Sequence, residues 1–470
     1  VDTVLEQSAD RKHWLLVGVL AASVMVHASG FSAPFTFDDI HSIPDNPHIR
    51  SLWPLSKAMS APPHSTVSGR PMVNLSLALN YAACGLTVWG YHAVNLAAHL
   101  LSTMLLFGVV RRTLLAPRFG RRHRESAAWL SATVALMWTI HPLQSESVTY
   151  IIQRTGLFMG LFYLLTLYCF IRAHGSSHRG MWLAAAVAAC ALGMGSKETM
   201  VSAPIMVLLY DRIFVSGSFR AALRRHIGLY AGLVATWIFL MALVVSTPPS
   251  ESVGYGFGVS ALDYLRTQGN VIAWYLRLSL WPSPLVVAYD WPVARSLADC
   301  MPQGLIVAAL LGGTAWALWR WPGLGFVGVW FFLILAPTSS FLPIATEVAA
   351  ERRMYLPLAA VIALIVIGGH RALTGPLIRL LPKPGALFWG YLALVVVVAA
   401  LLGYGTVDRN QDYRSEIALW RDTITKRPHN ARAHCNLGIV MYEADRVKEA
   451  IGPLTAAIEL DPSLLRAHRT

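Results

Sequence analysis

Trp14-Leu-Leu-Val-Gly-Val-Leu-Ala-Ala-Ser-Val-Met-Val-His-Ala28, followed almost at once by Phe35-Thr-Phe-Asp38-Asp39-Ile-His41, decides how the rest of the chain is read. The first run is apolar enough to be a membrane helix. Arg11 and Lys12 precede it, which the positive-inside rule places in the cytoplasm, so Asp38 and Asp39 emerge on the opposite side. Between the run and the aspartates there is no small-residue cleavage site, so it reads as a retained helix, not a removed leader. Two adjacent carboxylates flanked by Phe37 and Ile40 stand where a chain leaves the bilayer. Charge at membrane depth costs about 2.5–3.5 kcal/mol per group on insertion scales, which points to a functional site facing a cavity. The plainer alternative is a carboxylate pair in a wet loop.

Composition supports the membrane reading. With 55% hydrophobic and 13% charged residues in 470, too little polar side chain remains to cover a soluble globule, so the chain is a polytopic membrane protein. The net charge of +13 falls largely in short loops, where it sets orientation, and nucleic-acid binding is not expected. Five scattered cysteines show neither a disulfide framework nor a zinc spacing, and no metal ligands are assigned.

Further spans are expected near 89–110, 127–140, 156–173, 181–195, 200–214 and 228–246, with Arg111, Arg112, Arg118, Arg121, Arg122 and Arg124 the strongest cytoplasmic signal. The stretch 264–282 has the length of a span, but Asp263, Arg266, Gln268, Asn270 and Arg277 interrupt it. Read as an interfacial helix in an external loop, 247–301, it leaves Arg320, Arg371, Arg379 and Lys383 cytoplasmic. Spans at 302–319, 323–337, 355–370 and 387–405 then complete eleven, with the C-terminus external. A first external loop, 30–88, carries the aspartates and an interfacial helix begun by Arg70-Pro71. Residues 1–405 thus form the membrane domain. Residues 406–470 are charged and helical, with Asn436-Leu-Gly438, Tyr442, Ala450 and Pro462 in tetratricopeptide-like order, read as an external and truncated α-solenoid.

This topology gathers Asp38, Asp39, His41, Arg70, His141, Glu146, Arg154, Lys197, Glu198, Glu351, Arg352 and Arg353 on one side. Cations hold phosphate and a carboxylate removes an acceptor proton, the set needed to move a group from a membrane-anchored phosphate donor to a hydroxyl. Each piece has a structural alternative: a helix-end pair for Lys197-Glu198, a proline stop for His141-Pro142, interfacial anchoring for Arg154 and Glu351-Arg352-Arg353. Asp38 or Asp39 with Glu146 or Glu198 would make an oxygen-rich divalent-cation site if the fold brought them together.

The ordered series resembles the transmembrane and tetratricopeptide-repeat O-mannosyltransferases and their bacterial relatives, among the GT-C glycosyltransferases. It comprises Phe37-Asp38-Asp39, Gly69-Arg70-Pro71 to Leu79-Asn80-Tyr81, Gly90-Tyr91-His92 to Asn95, His99-Leu100, His141-Pro142 to Glu146, Tyr150 to Gln153-Arg154, Ser196-Lys197-Glu198, Tyr289-Asp290-Trp291-Pro292, and Ala336-Pro337 to Ser340 with Glu351-Arg352-Arg353 to Pro357. The resemblance implies a GT-C fold, a polyprenyl-phosphate-linked sugar, an external active site and polypeptide Ser or Thr acceptors presented by the repeat segment. It makes a first-loop aspartate the base, Asp38 before Asp39, in an inverting transfer. Arg154, Lys197, Arg352 and Arg353 are then expected to hold the donor phosphate, and His41, Arg70, His141, Glu146, Glu198 and Glu351 to position donor or acceptor. Arg352 stands where many relatives have the histidine of Glu-His-Arg. The expected location is a bacterial inner membrane with a periplasmic active site, or an endoplasmic-reticulum membrane with a lumenal one. The rival classes are a transporter of a lipid-linked anion and a membrane-anchored scaffold.

Overall fold

The computed structural model describes residues 2–469 except 64, 120–122, 248–259, 342–346 and 375–383. Arg121, Arg122, Arg379 and Lys383, counted above as loop charges, lie outside the described residues. Among those described, all regular structure is helical. In order come α1 (Asp2–His27), α2 (Asp38–Ser42), α3 (Leu55–Met59), α4 (Pro71–Cys84), α5 (Val88–Leu114), α6 (Ala127–Thr139), α7 (Ser145–Thr149), α8 (Arg154–Ala173), α9 (Arg179–Met194), α10 (Ala203–Tyr210), α11 (Phe219–Arg225) and α12 (Ile227–Ser246). There follow α13 (Ala261–Leu280), α14 (Gln303–Arg320), α15 (Pro322–Ala336), α16 (Pro357–Thr374), α17 (Pro384–Asp412), and then α18 (Glu416–Lys426), α19 (Ala431–Glu443), α20 (Val447–Leu460) and α21 (Leu465–Arg469).

Each of the eleven expected spans falls on a helix, although α1 starts upstream of Arg11. Seven stretches are both long and apolar enough to cross a membrane: His13–Ser32, Val88–Leu114, Ile151–Ala173, Glu198–Ser216, Ile227–Ser246, Pro322–Ser339 and Trp389–Asp412. Ala127–Thr139, Arg179–Met194 and Pro357–Ala372 are apolar but shorter. The outer surface displays Trp319 (81% exposed), Val245 (77%) and Leu401 (67%), groups that lipid accommodates and water does not. Helices satisfy their own backbone in that solvent. The protein is a polytopic all-α membrane protein.

The core gathers where α8 packs between α5 and α9, with α6 and α16 behind. Two of its large polar side chains are paired: Trp138 Nε1 donates to the Tyr355 carbonyl (2.7 Å), and His99 lies 3.0 Å from both the Thr139 carbonyl and the Tyr355 hydroxyl. α13 buries Tyr264, Thr267, Gln268, Val271, Ile272, Tyr275 and Leu278 at helical spacing. That face turns inward to protein: the Tyr264 hydroxyl donates to the Thr338 carbonyl (2.7 Å) and Gln268 Nε2 to that of Val348 (3.3 Å). Of the polar residues that interrupt α13, Gln268 thus braces the segment leading to Glu351, together with Tyr275, whose hydroxyl donates to the Ala350 carbonyl (3.0 Å).

The C-terminal helices dock on the membrane domain. Lys426 Nζ donates to the Leu285 carbonyl (3.1 Å) and Asn430 Nδ2 to that of Ala288 (3.0 Å). The Arg427 guanidinium stands 5.5 to 5.8 Å from the ring centres of Trp274, Tyr289 and Trp291, a cation over three aromatic faces. α19 and α20 form a tight pair in which a Cβ at Gly438 would lie 2.5 Å from Leu454 Cγ.

Candidate functional site

The aspartate turn is built on an unusual backbone. Phe37, just before α2, has φ 49° and ψ −118°, a region bulky L-residues avoid at a cost of about 1–3 kcal/mol unless their surroundings hold them there. Its ring meets those of Trp420 (5.0 Å between centres) and Tyr150 (5.9 Å) edge to face. Its N–H donates to Glu416 Oε1 (2.8 Å).

The two aspartates that follow have opposite fates. Asp39 is fully buried, with Oδ2 accepting the Thr36 N–H (3.1 Å) and Oδ1 the Ile152 N–H (2.7 Å). Burial pushes its carboxyl up to about 8, opposed by those two N–H groups. Asp39 therefore ties the first loop to the turn before α8. Asp38 is exposed; its N–H donates to the Tyr150 hydroxyl (3.0 Å), and its carboxylate makes no hydrogen bond or ion pair among the described residues.

A second doublet divides in the same way. Gly69, at φ +72° with no room for a Cβ beside Thr247, turns the chain so that Arg70 can start α4. Arg70 then grips Glu198 through Nε and Nη2 at 3.1 to 3.2 Å. Lys197, next to Glu198, has no hydrogen bond or ion pair among the described residues. Burial, then the fields of Arg70 and Arg352, bring its ammonium down to about 7. A Cβ on Gly156 would stand 3.7 Å from Lys197 Nζ, which puts the ammonium at the start of α8.

Arg352 is clamped between Glu146 and Glu347, and its own N–H donates to Glu146 Oε2 (2.8 Å). Arg353 turns to the backbone carbonyls of Thr338 (3.3 Å) and Val348 (2.9 Å). Tyr150 joins the halves: it feels both aspartates and Arg352, and its phenol is pushed well up, chiefly by burial.

Several expected ligands are withdrawn by the fold. Arg154 is fully buried and spends its guanidinium on Asn95 Oδ1 (2.8 Å), the Tyr91 carbonyl (3.0 Å) and Ser76 (3.4 Å). It braces α4, α5 and α8 and offers nothing to a phosphate. His141 is buried: Nδ1 accepts the Leu143 N–H (3.2 Å), Nε2 lies 3.3 Å from the Ser279 carbonyl, and burial lowers its pKa to about 4. It is a neutral cap, not a positioning group. Glu351 is buried, with Oε1 accepting the Val286 N–H (2.6 Å) and Tyr289 hydroxyl (2.9 Å), and Arg409 lies 3.8 Å away. Burial pushes its carboxyl up to about 7. His41 pairs at the surface with Asp45 (3.3 Å). Of the oxygens proposed for a divalent cation, those of Asp39, Glu146 and Glu198 are committed elsewhere, and no group of three or more His, Cys, Asp or Glu able to hold a metal is found among the described residues.

Tyr150, Glu347, Glu416 and Trp420 were not singled out from the sequence as site residues. Only Tyr150 carried a signal, as part of the motif before Arg154. Beside Lys197 lies an apolar groove of about 430 Å³ between α4, α5 and α8, lined by Met72, Leu75, Leu79, Val94, Phe158 and Phe162 among others. Its Met72 end abuts the Lys197 turn, since the Met72 N–H donates to the Gly195 carbonyl (3.1 Å).

Comparison with known proteins gives relatives along nearly the whole chain. Protein O-mannosyl-transferase TMTC4 of Homo sapiens is 24% identical over 496 residues, covering 93% of this chain and 65% of its own length. Protein O-mannosyl-transferase TMTC1 of Homo sapiens is 25% identical over 512 residues (94% and 54%), and TMTC3 of Mus musculus 23% over 499 (97% and 51%). The chain therefore spans between half and two thirds of these relatives. No family model and no solved structure matches it.

Proposed function

We propose that this chain, a relative of the TMTC-type protein O-mannosyl-transferases, is an integral membrane glycosyltransferase of GT-C architecture that moves mannose or another hexose from polyprenyl phosphate to a Ser or Thr hydroxyl of a polypeptide. The observation that carries this reading is an exposed carboxylate, Asp38, on the turn whose N–H meets the Tyr150 hydroxyl, and an ammonium, Lys197, within the field of Arg352, each without a hydrogen bond or ion pair among the described residues.

In the proposed step Asp38 takes the hydroxyl proton as the acceptor oxygen attacks the anomeric carbon. The new carbon–oxygen bond forms opposite the breaking bond to the phosphate oxygen, inverting the centre, and polyprenyl phosphate leaves with the bonding electrons. Lys197 meets the phosphate charge, and Arg353, held on neutral carbonyls, adds a positive field that needs no rearrangement, while Arg352 is offset by Glu146 and Glu347. Arg70 and Glu198 hold the Lys197 turn, and Glu146 holds Arg352. The groove beside Lys197 supports a donor with an apolar chain, because lipid and phosphate would then occupy adjoining surfaces. Eleven crossings with the site external, in a bacterial inner membrane, and acceptor binding by the C-terminal helices as tetratricopeptide repeats complete the proposal.

The test is incubation of purified protein with polyprenyl-phosphate mannose or glucose and a Ser/Thr-rich peptide panel, read by mass spectrometry. A hexose on a peptide hydroxyl supports the reading. Movement of intact donor across a vesicle membrane, with no glycosidic product, would replace it with a transporter.

A further inference from the structure

Phe37 holds a strained backbone immediately before Asp38, and what holds it comes from the far end of the chain. Its N–H has Glu416 Oε1 at 2.8 Å, and its ring lies against Trp420, a side chain only 4% exposed; both residues are on α18. α18 is fixed in turn to the opposite half of the site. Asp422 takes Arg409 Nη1 (3.2 Å), Lys426 reaches both Asp422 and the Leu285 carbonyl, and Arg409 stands 3.8 Å from Glu351. One helix outside the membrane bundle thus grips the aspartate turn directly and reaches Glu351 through Arg409 of α17.

We infer that Glu416 and Trp420 are positioning residues: by holding Phe37 in its left-handed backbone conformation, they set the direction in which the Asp38 carboxylate leaves the turn. The inference rests on the transferase reading for its consequence but not for its geometry. Without the Glu416 acceptor the Phe37 peptide loses a half-buried partner and relaxes toward the ordinary extended region, which rotates the peptide that carries Asp38. Asp39 remains tied to Ile152, so the turn loosens at Phe37 and Asp38 without leaving the protein. The C-terminal helices are accordingly part of the site, not only a platform beside it.

Full-length protein in lipid nanodiscs carrying Glu416→Ala, Glu416→Gln or Glu416→Ala with Phe37→Gly tests this. Amide exchange over residues 35–40 should speed up at least tenfold in Glu416→Ala. It should return toward wild type in Glu416→Gln, whose amide oxygen still accepts the Phe37 N–H. In transfer assays Glu416→Ala should lower kcat about tenfold or more with donor KM unchanged, and Phe37→Gly should recover part of that loss, since glycine adopts this backbone without strain. Unchanged exchange at 35–40 in Glu416→Ala, or equal kcat losses in the alanine and glutamine variants, would overturn the inference. Exchange reads the clamp whether or not sugar is transferred, so the clamp and the transferase reading fail separately.

Discussion

The two ends of α8 and α10 treat charge in opposite ways. At the far end Asp211 sits in a closed network: Oδ2 is 2.7 Å from His226 Nδ1 and accepts the Tyr230 hydroxyl (2.6 Å), Oδ1 accepts the Ser216 hydroxyl (2.6 Å), and His226 Nε2 lies 3.2 Å from His174 Nε2. At the near end the charges come as neighbours with divided tasks. Asp39 and Glu198 are committed to holding their turns, while Asp38 and Lys197 next to them are committed to nothing among the described residues. A satisfied network stabilises a fold, whereas a desolvated and unpaired ammonium such as Lys197 destabilises it unless a ligand completes it, and the exposed Asp38 carboxylate stays open to one. On the proposed reading, this difference separates the residues that hold the fold from those that meet the substrate.

That contrast can be broken from either end. The largest effect is expected at the closed end: Asp211→Ala leaves His226, Tyr230 and Ser216 without their acceptor and should lower unfolding free energy by about 3–5 kcal/mol. It should be seen as a lower thermal midpoint with donor affinity per folded molecule unchanged. Lys197→Met should do the reverse, weakening binding of a polyprenyl-phosphate sugar by about 10- to 100-fold, the worth of one charge-assisted contact, without lowering the midpoint. A drop in stability there, with binding intact, would make Lys197 structural.

The smallest and sharpest effect is in pH. Lys197 titrates near 7 in the free protein because burial and neighbouring cations lower it, and a bound phosphate would raise it again, so binding takes up a proton. A phosphodiester keeps its charge over this range, so affinity should be highest below pH 7 and fall about tenfold between pH 6 and pH 8. Lys197→Arg, charged throughout, should flatten the profile in a calorimetric titration.

Much of this could be read in advance, and the gaps have physical causes. Apolar runs between arginine clusters marked helices of the bundle, seven of them long and apolar enough to cross a membrane. Occupation was not visible: Arg154 looked available because it opens a span, yet its acceptors Asn95, Tyr91 and Ser76 come from helices far away in sequence. Which aspartate is buried is likewise decided by the N–H of Ile152, 113 residues from Asp39. Glu416 carried no motif, and its role exists only because α18 folds back onto the first loop.

The most direct test of the central claim is the rate of sugar transfer by Asp38→Asn and Asp39→Asn measured beside their thermal midpoints. If Asp38 is the open member of its doublet, Asp38→Asn loses about 10²- to 10⁴-fold in kcat with an unchanged midpoint, while Asp39→Asn lowers the midpoint and keeps more of the activity. Full transfer by Asp38→Asn, or the larger catalytic loss in a stable Asp39→Asn, would contradict the account.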